Sequence, residues 1–296
     1  MNKRLHMNPI LRKELVVGSR SMKMSWAIMG INAFLTIIVL IVLSITNMSA
    51  SVSGYNYSRL IWLFPILGCV ECGLLSLIIP IITSGSISGE RERQTLDIML
   101  TTPVTPFSIA VGKLGSAIAV VMMYMIASIP VMAIAFVLGG MSWWALLGLF
   151  GMMLYLGIYV GSVGIFCSSA VKKSVVATIL TIVIGVGIII LTAIILYVIM
   201  AVQNSVCDTR GTVYNGPGAY AFIMMLNPYS PILDFMMRVM GNTGIRNLME
   251  EVGTKSSIVL SISDQWMLWS ILINMLISFV FLKLAARNIA VTRNRK

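Results

Sequence analysis

Six runs of apolar residues, at 26–46, 61–83, 114–138, 143–168, 175–202 and 266–286, are each long enough to cross a bilayer, for which about 20 residues suffice. The polar positions between them are few and concentrated. They fall in a leading segment, in a stretch from Ser84 to Lys113, in a short turn at Lys172 and Lys173, and in a longer piece over 203–265. Backbone that crosses hydrocarbon must satisfy its own hydrogen bonds, and runs of this length do so as helices. The pattern predicts an all-α integral membrane protein with six transmembrane helices in a single domain over 1–296. No segment is large enough for a separate soluble domain.

Shorter helices are expected outside the spans. Asn8 as N-cap and Pro9 at the first helical position open a segment over 8–24 in which Leu11, Leu15, Gly18 and Met22 share one face. With Arg12, Lys13, Arg20 and Lys23 elsewhere on its surface, that segment reads as a helix lying on the membrane interface. The region 84–113 contains Glu90, Arg91, Glu92 and Arg93, followed by Thr95, Leu96, Asp97, Ile98, Met99 and Leu100. This reads as a short helix with one charged and one apolar edge, a form built to touch something. Pro103 and Pro106 break it, and Thr105 is placed to cap the next long helix. In the 203–265 segment, turns are expected at Asn215-Gly216-Pro217-Gly218 and Asn227-Pro228. Ser230 and Pro231 should cap a helix from Ile232 to Met240 that ends at Gly241. Met224, Met225, Met236, Met237 and Met240 give this element a deformable apolar surface, either plugged into the bundle rim or presented to a substrate.

Composition sharpens the picture. The 296 residues are 58% hydrophobic and 10% charged, far from the balance of a soluble domain. A net charge of +11 could suggest nucleic acid, but the basic residues follow the membrane instead. Sixteen of the 21 lysines and arginines fall in segments on the side of the N-terminus, a positive-inside bias that puts both termini in the cytoplasm and favours contact with anionic lipid. Trp26, Trp62, Trp143, Trp144, Trp266 and Trp269 all lie at span edges, where amphipathic rings prefer to sit. The first apolar run exceeds a signal-peptide core and Met48-Ser49-Ala50 only loosely imitates a cleavage site, so an uncleaved first span is expected.

Within the spans, Glu71 is the one acidic residue at central depth, at an insertion cost of about 2.5–3.5 kcal/mol. The thirteen Leu, Ile, Val and Phe residues of its span outweigh that cost. Gly68, Cys72 and Ser76 form a small-residue stripe beside it, so the carboxyl should face another helix, as a structural pair or as part of a substrate or ion pathway. Pro130 should kink the third span. Gly157 and Gly161 form a GxxxG, extended by Gly148, Gly151 and Gly164, which suits close packing within the chain or a dimer seam. Cys69 and Cys72 read as small packing residues rather than metal ligands, and the four cysteines imply no disulfide framework.

Catalytic chemistry is not visible. The single histidine, His6, lies in the basic leading segment, so histidine-based catalytic pairs and zinc sites are not expected. Gly112-Lys113 lacks the remainder of a phosphate-binding loop, and Ser84-Gly85-Ser86-Ile87-Ser88-Gly89 does not fit a nucleophile elbow. No catalytic residue and no metal site are assigned.

Three stretches give a more specific pointer: Asn8-Pro9-Ile10-Leu11-Arg12-Lys13-Glu14-Leu15, Gly89-Glu90-Arg91-Glu92-Arg93-Gln94-Thr95-Leu96-Asp97-Ile98-Met99-Leu100-Thr101-Thr102-Pro103, and Gly112-Lys113. With Asn227-Pro228 before the last span, they resemble the six-span permease subunits of type-2 ABC exporters, and the topological resemblance covers essentially the whole chain. It implies a cytoplasmic coupling helix between spans two and three and an extracellular helical segment between spans five and six. A separate ABC ATPase subunit would bind ATP and Mg, the permease itself holding no cofactor. A second permease copy or a sibling would complete a two-plus-two complex in the bacterial plasma membrane. On this resemblance Glu90, Arg91, Glu92, Arg93, Thr95 and Asp97 offer polar and charged groups to the ATPase, and Leu96, Met99 and Leu100 apolar ones. The expected cargo is hydrophobic or amphipathic, a peptide or lipid-like molecule. The alternatives are a self-sufficient channel or carrier using Glu71 and a non-transporting sensor or immunity scaffold.

Overall fold

The computed structural model describes residues 22–53, 57–95, 105–211, 218–251 and 257–294. The interfacial segment expected over 8–24 falls almost wholly outside them, as do the turn at 215–217 and residues 96–104. Among the described residues the chain is all helix. Five long helices come first, α1 (Met22–Ser53), α2 (Leu63–Glu92), α3 (Pro106–Gly139), α4 (Trp143–Ala170) and α5 (Ser174–Arg210). Three short ones follow, α6 (Ser230–Val239), α7 (Ile245–Glu251) and α8 (Ser257–Asp264), and α9 (Trp266–Asn294) ends the described chain. Among the described residues, α1 to α5 and α9 are the six helices long and apolar enough to cross a membrane.

The helix starts follow local chemistry. The Thr105 hydroxyl accepts from Ser108 N at 3.3 Å, with Pro106 in the first turn, and Ser142 caps α4 in the same way through Ala145 N. The turn from α3 to α4 uses Gly140 at φ 63°, a left-handed position that suits glycine. α3 runs unbroken through Pro130.

The axis of the bundle is α4, whose most apolar window is 61% buried, against 11% for those of α1 and α5. Leu149, Met153 and Leu156 of α4 meet Leu63, Phe64, Leu67, Leu75 and Ile79 of α2 and Val121 and Met132 of α3 in one core. Four α4 glycines are used inside the chain, while Gly151 is exposed and meets nothing within 4 Å. A Cβ on Gly161 would stand 2.7 Å from Leu114 Cδ1, Gly157 abuts Val121 and Ile79, and a Cβ on Gly164 would collide with Thr83. By contrast, Ile37, Leu40 and Ile41 of α1 and Val183, Ile190 and Ile194 of α5 are exposed, as lipid-facing side chains should be.

Two elements extend further than the hydropathy pattern suggests. The α2 helix continues through the serine-rich stretch to Glu92, so Glu90, Arg91 and Glu92 form its last turn rather than the edge of a separate amphipathic helix. α5 has 37 residues, about 55 Å at 1.5 Å per residue, well beyond the hydrocarbon thickness.

At the end of the bundle away from Glu90, the chain between α5 and α9 folds back into the rim. A 3-10 segment, Gly218–Leu226, leads into α6, and both pack against the spans. Unpaired carbonyls at this depth need partners. Met225 O accepts from Ser270 Oγ and Asn274 Nδ2, both at 3.0 Å, while Asn227 donates to Thr192 Oγ1 at 3.0 Å and accepts from Tyr229 N at 2.9 Å. Ser230, expected to cap α6, shares a hydrogen bond with Ser270 Oγ at 3.0 Å instead, because its neighbour Asn227 already organises the turn. Met225 and Met236 are buried, in keeping with a plug in the rim. Trp266 departs from the interfacial pattern. It is fully buried against Phe222 and donates to Ser230 Oγ at 3.4 Å, whereas the other five tryptophans are exposed.

A charged clamp fixes what lies outside that plug. Buried Asp234 accepts from Arg238 Nε at 2.8 Å and Ile245 N at 2.7 Å, while Arg246 Nη1 bridges both oxygens of Asp264 and Arg246 Nε reaches Glu250. Gly244, at φ 72°, leaves the room that Asp234 occupies.

The seating of α6 depends on two glycines that give it space. A Cβ on Gly68 would stand 2.5 Å from Met236 Cε, and one on Gly148 2.5 Å from Phe235 Cε2. Gly148→Val should therefore destabilise the fold by about 1–3 kcal/mol, the usual cost of overpacking. Adding Phe235→Ala should return at least half of that loss in a double-mutant cycle of unfolding in bicelles, whereas strict additivity would show that α6 does not sit there.

Candidate functional site

The residues singled out between α2 and α3 divide at the end of α2. Leu96, Asp97, Met99 and Leu100 lie outside the described residues. Glu90, Arg91, Glu92, Arg93 and Thr95 are described, and three of the charges are bonded within the chain. Glu90 Oε1 accepts from Lys113 Nζ of α3 at 2.6 Å, in a pair whose lysine is only 5% exposed. Arg91 donates to Val171 O at 3.3 Å and Ser169 O at 3.4 Å, where the last carbonyls of α4 carry the negative end of its dipole. Glu92 accepts from Ser174 N at 3.0 Å and Ser174 Oγ at 2.9 Å, capping the opposite, positive end at the start of α5. Consecutive residues of α2 thus hold α3, α4 and α5.

Serines complete this end. Ser168 Oγ accepts from Ile87 N at 3.0 Å and Ser88 N at 2.9 Å, Ser84 and Thr178 share a short hydroxyl contact, and Asn288 of α9 donates to Ser169 Oγ at 3.2 Å. Beneath them Ile87, Ala110, Leu114, Ile165, Leu282 and Ala285 form an apolar layer from α2, α3, α4 and α9. Sequence reasoning missed the roles of Ser168 and Ser169. Their signal was two adjacent hydroxyls at the end of an otherwise apolar span, just before Lys172.

The chain leaves α2 in a fixed direction. Thr95 N donates to Glu90 O at 2.9 Å and Gln94 N to Arg91 O at 3.2 Å, the two bonds of a Schellman motif, with Gln94 at φ 58° where glycine is usual. Arg93 and Thr95 are exposed at this exit.

The second candidate, Glu71, is fully buried, as its small-residue stripe implied. The Ser128 hydroxyl of α3 lies beside the carboxyl but is aligned on Met125 O at 3.0 Å, and neither Glu71 oxygen has a hydrogen-bond partner among the described residues. Tyr124 of α3 and Cys72 are within electrostatic reach of it. Glu71 and the Glu90 end are 19 positions apart on one helix, about 28 Å. They are separate sites. Among the described residues no group of three His, Cys, Asp or Glu side chains is arranged to hold a metal ion.

The model of a family described as ABC-2 family transporter protein matches residues 72–286. That stretch begins one residue after Glu71 and includes the charged end of α2, the rim segment and α9 as far as residue 286. No curated protein matches the chain.

The Glu90–Lys113 pair is testable by itself. Glu90→Gln removes the carboxylate that Lys113 Nζ meets at 2.6 Å, and Glu90→Gln and Lys113→Met should be non-additive, with a coupling of about 0.5–3 kcal/mol in a double-mutant cycle. Unfolding of the four proteins in bicelles reads it, and zero coupling would mean that the pair does not join α2 to α3.

Proposed function

Because the chain belongs to the ABC-2 transporter family, and is therefore a multi-pass membrane component that works with an ABC ATPase, we propose that it is the permease subunit of an ATP-driven exporter. The ATPase docks on the segment between α2 and α3, on the cytoplasmic side, and carries the ATP and Mg. Two such permeases, or one and a sibling, form the complex with two ATPase subunits in a bacterial plasma membrane. The cargo is hydrophobic or amphipathic, in line with spans that hold few charged residues.

The observation that carries this reading is the bonding of Glu90, Arg91 and Glu92 to α3, α4 and α5. Any displacement of the segment that leaves α2 at Gln94 is passed to four spans through polar contacts of 2.6–3.4 Å. This division of labour reassigns part of the charged run. Glu90, Arg91 and Glu92 transmit force within the permease, while exposed Arg93 and Thr95, with Leu96, Asp97, Met99 and Leu100, meet the ATPase. Seating one apolar side chain in a partner cleft typically contributes about 1.5–3 kcal/mol, enough to make docking sensitive to a single substitution.

A second reading, a carrier or channel that needs no ATPase, is favoured by the unpartnered carboxyl of Glu71 alone. The two readings separate in one preparation. The permease co-expressed with its ATPase and placed in nanodiscs should lose most of its coupled ATP hydrolysis with Leu96→Asp or Arg93→Glu while the bundle keeps its thermal stability. Normal association and hydrolysis in both variants would refute docking at this segment. Flux in liposomes without any ATPase would support the carrier.

A further inference from the structure

The bundle interior contains a polar cluster that its packing leaves incomplete. Four buried oxygens have no hydrogen-bond partner there among the described residues: both carboxyl oxygens of Glu71 on α2 and the hydroxyls of Tyr124 on α3 and Tyr155 on α4. Glu71 is 0% exposed, and Tyr124 and Tyr155 4% each. A buried polar atom without a partner costs about 1–3 kcal/mol, so four in one core point to something that occupies the site at another stage.

The surroundings define that occupant. Tyr124 and Cys72 are within electrostatic reach of the Glu71 carboxyl. On the adjoining face of α2, Tyr229 from the segment ahead of α6 reaches Ser76 and lies near Cys72, and Tyr155 and Tyr159 of α4 lie beside it. The carboxyl and Tyr124 therefore lie between α2 and α3, and the Tyr155–Tyr159–Tyr229 group lines the neighbouring side of α2 at Cys72 and Ser76. Aromatic faces combined with one anionic group are the general chemistry for holding an organic cation. Among the described residues neither Glu71 oxygen has a positive partner: the buried ammonium of Lys113 lies toward the other end of the bundle, engaged by Glu90. One turn along α2 from Glu71, Gly68 receives Met236 of α6, so the cluster lies directly beneath the rim plug.

We propose that Glu71, with Tyr124 and the Tyr155–Tyr159–Tyr229 group, is the binding site for the cationic head of an amphipathic substrate, an alkylammonium or comparable lipophilic cation. The site is closed in this arrangement, and the cargo enters when α2, α3 and α4 part. This rests on the exporter reading for direction of transport, but binding to the permease alone needs no ATPase.

The test uses the full chain in phosphatidylcholine nanodiscs near neutral pH, with empty nanodiscs subtracted. Radiolabelled tetraphenylphosphonium should bind saturably. Dodecyltrimethylammonium should compete, and dodecanol and dodecyl sulfate should not. Glu71→Gln should weaken binding at least about tenfold, and Tyr124→Phe, which keeps the ring and the packing, about two- to tenfold. Glu71→Asp should retain charge-selective competition. Absent binding in the wild type, as when Glu71 holds only a proton, overturns the proposal, as does unchanged affinity in Glu71→Gln or equal competition by the neutral amphiphile. If ATPase coupling succeeds while cation binding fails, the exporter reading survives and this site falls. If the cation binds and no ATPase associates, the site survives and the exporter reading falls.

Discussion

A peptide group in hydrocarbon has no water to fall back on, and an unmet N–H or C=O there costs several kcal/mol. Within a helix the constraint is met automatically. At helix ends and in non-helical backbone it is not, and the most informative side chains of this protein are found at those places. Arg91 and Glu92 answer the end of α4 and the beginning of α5. Ser270 and Asn274 answer Met225 O where the chain turns back into the rim. Each of these donors or acceptors comes from a different helix than the end it serves, so satisfying the backbone also fixes how the spans are joined.

That coincidence gives the charged end its mechanical character. In a bundle surrounded by lipid, apolar packing alone allows helices to slide, because lipid tails and side chains are similar neighbours. A salt bridge, two dipole contacts and several serine bonds, all within a few residues of α2, remove that freedom at the charged end. The glycine contacts of α4 with Leu114 and Thr83 reinforce it from within. Toward the other end, α6 is seated mainly by Met236 and Phe235 against glycines, contacts that deform more readily than ionic ones.

Much of this architecture was legible in the residues. The six spans and the Thr105 cap follow from periodicity and from the few residue types that end helices, and the GxxxG of Gly157 and Gly161 marked a close-packing surface, though not whether its partner lay within the chain. What could not be read was partnership. The run Glu90-Arg91-Glu92 looks like a solvated helix edge because nothing in its own sequence shows that α4 and α5 end beside it, 80 residues later. Trp266 looks interfacial by position, and only the fold-back of Phe222 and Ser230 encloses it. The burial of Glu71 was legible from its small-residue stripe, but its lack of a hydrogen-bond partner among the described residues was not. Nor was the tyrosine group on the neighbouring side of α2, because Tyr155, Tyr159 and Tyr229 come from separate parts of the chain.

The rigid exit at Gln94 and the length of α2 together make a lever. From Leu63 to Glu92 the helix measures about 45 Å, and its loaded arm begins where the Schellman motif denies the chain any slack. A tilt of about 5° pivoting at the charged end would swing the Leu63 end by about 4 Å, by the geometry of so long a helix. That is about the distance at which two apolar side chains are in contact, so modest rotations at one face of the membrane suffice to make or break packing at the other.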